Sequence, residues 1–448
     1  MVKRLRRSAA LAVAASLVLV ACGDNDAVEG NDTEAADGVR AYEGTELNLL
    51  FKEGYEIEAI QEFIGDFEEA TGITVNIEVY DEPTARQQFV LDSTTQTGAY
   101  DVTSASFWNM PEFVRAGWLE PLDGYLDDAT DWLDMDAIPQ GALESMTIDG
   151  ELYALPHTII GGMLFYRTDL FEEHGIDPPQ DTDEILAAAE QLAAAGIDAN
   201  PFVARGAPTF ASLGTLLGWA YGYGAILFDE DNRPHANSPE MIEAMEDFVT
   251  LMRDYGPADA PSLTFTQAGE VFSSGNAAMM FDTSGFGTIF ENPDQSQVAG
   301  RVGFAQPVGP AGNHLQWLYN EGLAISAFSE NKEAAWLFLQ WRMSEEVTTR
   351  ELQEIGRTDV PNLSVLQSDT YAQYAEENDL TDFTEILPES WDNATAEHWP
   401  FYAEFAEIGD TFAAGMSSVM AGSTDVESAL NSIQADLEQL MERAGYLE

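Results

Sequence analysis

The chain has 448 residues, 45% of them hydrophobic, with 18 Lys and Arg against 79 Asp and Glu. That length and apolar content exceed what one single-core domain normally holds, so two lobes are expected. The formal net charge of −61 excludes nucleic acid as a partner, and the single cysteine excludes disulfides and any thiolate metal cluster.

The first 22 residues read as an address. Lys3, Arg4, Arg6 and Arg7 precede an apolar run from about Ala9 to Val20, which is too short to span a bilayer as a helix. The run ends in Leu19, Val20, Ala21 and Cys22, which resembles the lipobox of bacterial lipoproteins, where the cysteine is acylated and becomes the new N-terminus. The competing reading of Cys22 is a buried or free thiol. Residues 1–21 are then a lipoprotein signal peptide, and 22–45 an acidic disordered tether without apolar periodicity. With the four basic residues of the signal removed, 14 Lys and Arg oppose the 79 acids, a formal net charge of −65. A charge of that size repels itself in a compact state unless salt screens it, which points to a salty habitat and a halophile; an ordinary acidic exported protein is the alternative. The acids are scattered along the chain, as on a solvated surface.

Strand and helix patterns then alternate, the signature of an α/β fold. Leu47 to Phe51 reads as a buried strand, Ile57, Ile60, Ile64 and Phe67 recur at helical spacing, and Gly72 stands where a helix C-terminal glycine belongs. Ile73 to Tyr80 is a second strand. A helix pattern around Arg86 to Asp92 leads to a third, Tyr100 to Ser106. Such a βαβαβ run predicts a parallel sheet whose carboxyl ends, Lys52 to Tyr55 and Phe107 to Asn109, gather ligands. Asp181 with Glu184 forms a predicted capping box for an alanine-rich helix closed by Gly196, and Thr424 with Glu427 forms another ahead of Leu430, Ile433, Leu437 and Leu440. Met241, Met245, Phe248 and Met252 repeat as a core stripe. No later apolar stretch approaches the ~20 residues of a membrane span.

Several chemistries fail on inspection. There is no Walker loop, no dinucleotide glycine fingerprint, no HExxH and no GxSxG. The five histidines lack metal spacing, and Pro234 occupies the turn position that a calcium loop at Asp229 would need for glycine. No cofactor and no metal are expected. Carboxylate pairs for glycoside hydrolysis are uninformative in so acidic a chain.

Five segments in order carry a resemblance: "YDVTSASFWNMPEFVRAGWLEPLDGYL", "GELYALPH", "LFYRTDLFEEHGIDPP", "FSSGNAAMMFDTSGF" and "LAISAFSENKEAAWLFLQW". From about Leu47 to Tyr446 the chain resembles the extracellular solute-binding proteins of ABC importers that carry sugars and polyols, solute-binding family 1. "GRTDVPNLSVL" and "WPFYAEFAEIGD" look most like the polyol branch. One departure is that Asn320, Glu321 and Gly322 stand where the family usually has a glycine pair. The resemblance implies a periplasmic-binding-protein-like fold of two α/β lobes joined by hinge crossovers. Lobe 1 is expected at 46–156 plus about 283–335, and lobe 2 at 157–282 plus about 336–448.

It also implies a protein with no bond-making step, which closes on a neutral sugar or polyol and docks on ABC permease subunits. Such a protein would be a monomer, lipid-anchored on the outer face of the cytoplasmic membrane. A polyhydroxyl ligand needs acceptors that take two hydroxyl hydrogens and aromatic faces for its C–H surface. Strand ends and interlobe turns then give the candidate ligand-binding residues Glu53, Tyr55, Trp108 and Asn109 from the first lobe. His157, Asp282, Ser284, Trp317, Asn320, Glu321 and Arg357 come from the crossovers and second lobe. Asp282 and Ser284 are expected at the lip of the site, beyond a strand formed by "AAMMFD". The alternatives are a binding protein for a cationic or peptide solute and, from another class, an exported glycoside hydrolase.

Overall fold

The structure is a computed structural model that describes residues 39–393 and 399–447. The proposed lipidation site, Cys22, lies outside the described residues. Eight strands build one mixed sheet: β1 (Glu46–Lys52), β2 (Thr74–Tyr80), β3 (Val102–Ser106), β4 (Ala154–Arg167), β5 (Asn200–Val203), β6 (Ala277–Thr283), β7 (Val302–Ala305) and β8 (Leu318–Ile325). Their spatial order is β2-β1-β3-β8-β4-β6-β5, with β7 also paired to β4.

The expected βαβαβ run is present, with β1 between β2 and β3 and parallel to both. Helices α1 (Tyr55–Thr71) and α2 (Glu82–Thr95) make the crossovers. Along α1, Ile57, Ile60 and Phe67 are buried, which is why their spacing is legible, and Gly72 closes the helix at φ 73°, a left-handed conformation that favours glycine. Asp81 opens α2 by accepting from Thr84 N at 2.9 Å. Helix α3 (Met110–Arg115) follows β3 directly.

Strand β4 holds the molecule together. Over Ala154 to Gly161 it pairs antiparallel with β8, and over Gly162 to Tyr166 it pairs with β6, while β7 joins it from Leu164 to Arg167. Glu321 faces Thr158 but Gly322 faces Pro156, so His157 is the extra residue of a β-bulge. Strand β5 runs parallel to β6.

Helix α4 (Thr182–Ala195) is capped by Asp181, which accepts from Glu184 N, and is closed by Gly196. Glu184 bonds to Gln180 N rather than to Asp181 N, so only half of the predicted capping box forms. Helix α5 (Leu213–Gly222) is buried along nearly its whole length, and α6 (Pro239–Asp254) carries the methionine stripe, with all four residues fully buried. Helix α7 (Phe265–Ser273) passes through Gly275 into β6, the strand expected at "AAMMFD".

Phe286, Phe290, Val298 and Val302 pack with Phe165 and Met280, so the segment after β6 belongs with the second half of the sheet. Helix α8 (Lys332–Arg342) straddles the expected border, yet Phe338 and Trp341 pack on Phe67 of α1 at 5.6 and 5.3 Å. Further core residues come from α9 (Phe405–Met420), α10 (Val426–Ala444) and the helix Thr381–Asn393, whose Phe383, Leu387 and Trp391 join the cluster around Phe165. The cap of α10 is Asp425, which accepts from Ser428 N at 2.8 Å, and not Thr424 as predicted. A carboxylate one residue nearer the helix outcompetes the hydroxyl for the free amide. Among the described residues no helix is long and apolar enough to cross a membrane.

Candidate functional site

A cavity of about 400 Å³ opens where the strands of both halves end. That volume lies near the lower end of the range for ligand pockets, about 300–1,000 Å³. Lys52 and Glu53 enter it from the end of β1, Phe107 and Trp108 from the end of β3, and Thr158 from β4. Strand β8 exposes alternate residues, so Tyr319 and Glu321 face the cavity while Asn320 points away. Thr283 ends β6, and Arg205 stands two residues beyond β5.

Two charged arrangements define its chemistry. Glu321 is 1% exposed, and its Oε2 accepts from Ser106 Oγ at 2.6 Å and Tyr319 OH at 2.9 Å, with Lys52 Nζ at 3.1 Å. Lys52 Nζ also donates to Tyr319 OH at 3.1 Å. None of these bonds goes to Oε1, which is left as an acceptor. Burial and the neighbouring Glu321 charge push the Tyr319 hydroxyl up to about 12, so it stays a donor at neutral pH. The second arrangement is Arg205, whose Nε donates to Asp282 Oδ2 at 2.8 Å and whose Nη2 donates to Oδ1. Its Nη1 donates to Ala211 O at 2.7 Å, and the guanidinium lies 5.1 Å from the Phe265 ring centre. A fork fixed in this way holds its remaining N–H donors in one place, suited to a pair of hydroxyl oxygens.

Aromatic rings complete the wall. Phe107 meets Trp399 at 4.8 Å, and Trp108 meets Phe210 at 5.3 Å and stacks on Phe405 at 5.9 Å. Trp317 sits edge-on to Phe281 at 5.3 Å. Among the described residues no group of three or more His, Cys, Asp or Glu is placed to hold a metal ion.

Of the candidate residues, Glu53, Trp108, Trp317 and Glu321 line this cavity. Tyr55 is the first residue of α1. The others lie elsewhere. Asn109 precedes α3 without a side-chain hydrogen bond to its first turn and borders a small recess behind Lys52 and Glu321. Asp282 is fully buried behind Arg205, not at the lip. Ser284 is 1% exposed and exchanges hydrogen bonds with the Gly161 backbone. Asn320 donates to Ser145 Oγ and Ala142 O on the far face of the sheet. His157 is fully buried in the bulge, and its backbone oxygen accepts from Arg357 at 3.1 Å. Arg357 itself is held by Glu351 at 2.9 Å and Asp359 at 3.2 Å, with Arg342 on the other side of Glu351. Burial first, and then the positive charges of Arg342, Arg357 and Lys52, hold the His157 imidazole well below its usual range, so it is neutral.

Arg205, Lys52 and Trp399 were not among the candidates. Arg205 follows β5, and the rule that selects carboxyl ends of parallel strands finds it once Asn200–Val203 is read as a strand beside β6. Trp399 falls in "WPFYAEFAEIGD", a segment otherwise used only for its resemblance.

A mixed α/β sheet with helices on its faces, whose strand ends converge on one cleft, defines a protein with the periplasmic-binding-protein-like fold. The sequence profile of the bacterial extracellular solute-binding proteins matches residues 53–349, and the chain belongs to that family. It is 28% identical over 387 residues to a mannitol-binding protein of Pseudomonas aeruginosa, covering 82% of this chain and 86% of that one. The crystal structure of an ABC transporter solute-binding protein of Agrobacterium vitis with bound D-mannitol superposes with a TM-score of 0.77 at 28% identity, covering 90% of this chain and all of that one. A solute-binding protein of Agrobacterium radiobacter in complex with ribitol gives 0.77 at 25% identity, covering 89% of this chain and 99% of that one.

Proposed function

We propose that the protein is the solute-binding component of an ABC importer, that it captures a neutral sugar or polyol in this cleft, and that it delivers the ligand to a membrane permease. The observation that carries this reading is the pairing of charges in the cavity. Glu321 is matched by Lys52 and Arg205 by Asp282, so the most buried charges of the cavity are paired within the protein and its walls offer directed hydroxyl partners and aromatic faces, while the carboxylates of Glu53 and Glu82 stand on the side of the exposed Glu53. The likeness to a mannitol-binding protein and to structures holding mannitol and ribitol supports the same ligand class.

The two halves of the sheet act as lobes, with β4 and β8 as hinge strands, and ligand shifts the equilibrium toward the closed form because only that form lets both walls touch it. The protein performs no bond-making step, works as a monomer, and is anchored to the outer face of the cytoplasmic membrane through Cys22. Thermal shift against a panel of sugars, polyols, amines and short peptides tests the ligand class. A shift with amines or peptides and none with sugars or polyols overturns it. Monosaccharide release on incubation with disaccharides would establish the hydrolase reading instead. Fatty-acid labelling that persists in Cys22→Ser would overturn the anchor.

A further inference from the structure

We propose that Trp399, propped on Gly214 beside Trp317, sets the length of the ligand: the cavity accepts one polyol or monosaccharide unit and rejects a second ring. This inference rests on the reading of the cleft as a sugar or polyol site.

The two ends of the cavity differ in exposure. Phe107, Trp317, Phe405 and Trp399 are 1%, 2%, 3% and 8% exposed, whereas Glu53 and Phe265 stand open to solvent. The aromatic end is therefore shut and the other is the mouth. What shuts it is a run of glycines that lets two indoles approach the backbone. A Cβ at Gly218 would stand 2.4 Å from Trp317 Cε3, and one at Gly162 would stand 2.7 Å from the same ring. At Gly214 a Cβ would meet Trp399 Cη2 at 3.0 Å and Trp317 Nε1 at 3.2 Å, so both rings converge over that residue. Trp399 then reaches Phe107 at the end of β3, and the wall becomes continuous between the two halves of the sheet. Gly214 and Gly218 lie on α5, Gly162 on β4, and Trp317 just before β8, so the seats on which the two indoles rest are buried secondary structure.

The chemistry of that end also opposes a longer ligand. Glu321, Ser106, Thr158, Arg205 and Thr283 supply the hydroxyl partners, while the shut end presents aromatic carbon. A second sugar ring pushed toward Trp399 would press its hydroxyls on the faces of Phe107, Trp317, Trp399 and Phe405, and each hydroxyl buried there without a partner is strongly unfavourable.

Calorimetric titration of wild type, Trp399→Ala and Trp399→Phe separates the outcomes, with D-mannitol, ribitol and D-glucose as single units and maltitol and maltose as two-ring probes. Wild type is expected to bind at least one single unit and to bind maltitol and maltose roughly 100-fold more weakly or not at all. Trp399→Ala is expected to narrow that gap at least tenfold, with Trp399→Phe in between; the conservative variant carries the test if alanine fails to fold, as melting curves report. Wild type binding maltose or maltitol as tightly as the best single unit overturns the inference and leaves the sugar or polyol reading standing. An unchanged gap in folded variants overturns the role of Trp399. Binding of none of the five probes overturns the parent reading, and the inference with it.

Discussion

Asp282 shows how a residue can matter to a site without touching it. Its carboxylate is fully buried, and both oxygens are occupied by the Arg205 fork that faces the cavity. Asp282→Asn keeps the shape but replaces one acceptor with a donor facing the guanidinium, so Arg205 loses its fixed aim and keeps a buried charge. The expected result is a loss of about 1.5–3 kcal/mol in ligand affinity, as for a charged hydrogen bond, together with a lowered ligand-free melting temperature. Titration paired with melting curves reads both. An exposed lip aspartate would weaken binding with no change in melting. His157 gives a second prediction at this scale. Its folded-state imidazole titrates well below the usual 6.5, so only the unfolded chain takes up the proton as pH falls through about 6.5. Stability that is level above that value should decline between about pH 6.5 and 5, with a slope of one proton, and His157→Gln should flatten this window in denaturant titrations at stepped pH.

Among the elements, what was legible in the sequence was what periodicity and caps encode. Ile57, Ile60 and Phe67 mark α1, Gly72 ends it, and the methionine stripe marks α6, because burial of one helix face leaves a regular trace. The cavity lining was legible where a strand end coincided with a chemically suitable residue, as at Glu53 and Trp108, whereas Glu321 lies within β8. Asn320 and Glu321 are neighbours in sequence yet face opposite sides of β8, and no single-sequence signal says which side is the cleft. Arg357 and His157 read as polar residues near a crossover, but the bulge in β4 turns them into a buried clamp. The cap of α10 is testable here. Asp425→Ala should cost about 1 kcal/mol, whereas Thr424→Ala should be near neutral, as thermal or denaturant unfolding would show. The reverse order would restore the capping box that the sequence suggested.

For the molecule as a whole, charge is the dominant unknown of the environment. Lys52, Arg205, Arg342 and Arg357 are consumed in buried or half-buried pairs, which leaves most of the outer surface to carboxylates. The melting temperature should therefore climb steeply between low salt and molar NaCl as screening relieves self-repulsion. A flat curve in scanning calorimetry would mean that local pairing compensates the acids.

Strand β8 carries a consequence for how the chain comes into being. It lies between β3 and β4, yet it is made about 150 residues after β4 ends, so the middle of the sheet has a gap until Ile325 has left the ribosome. An N-terminal fragment that stops short of it would hold β3 and β4 with no strand to join them, so the centre of the sheet cannot close while the first half is being made. Closing so distant a pairing is slow. The nascent chain therefore cannot complete the middle of its sheet until most of it has been made.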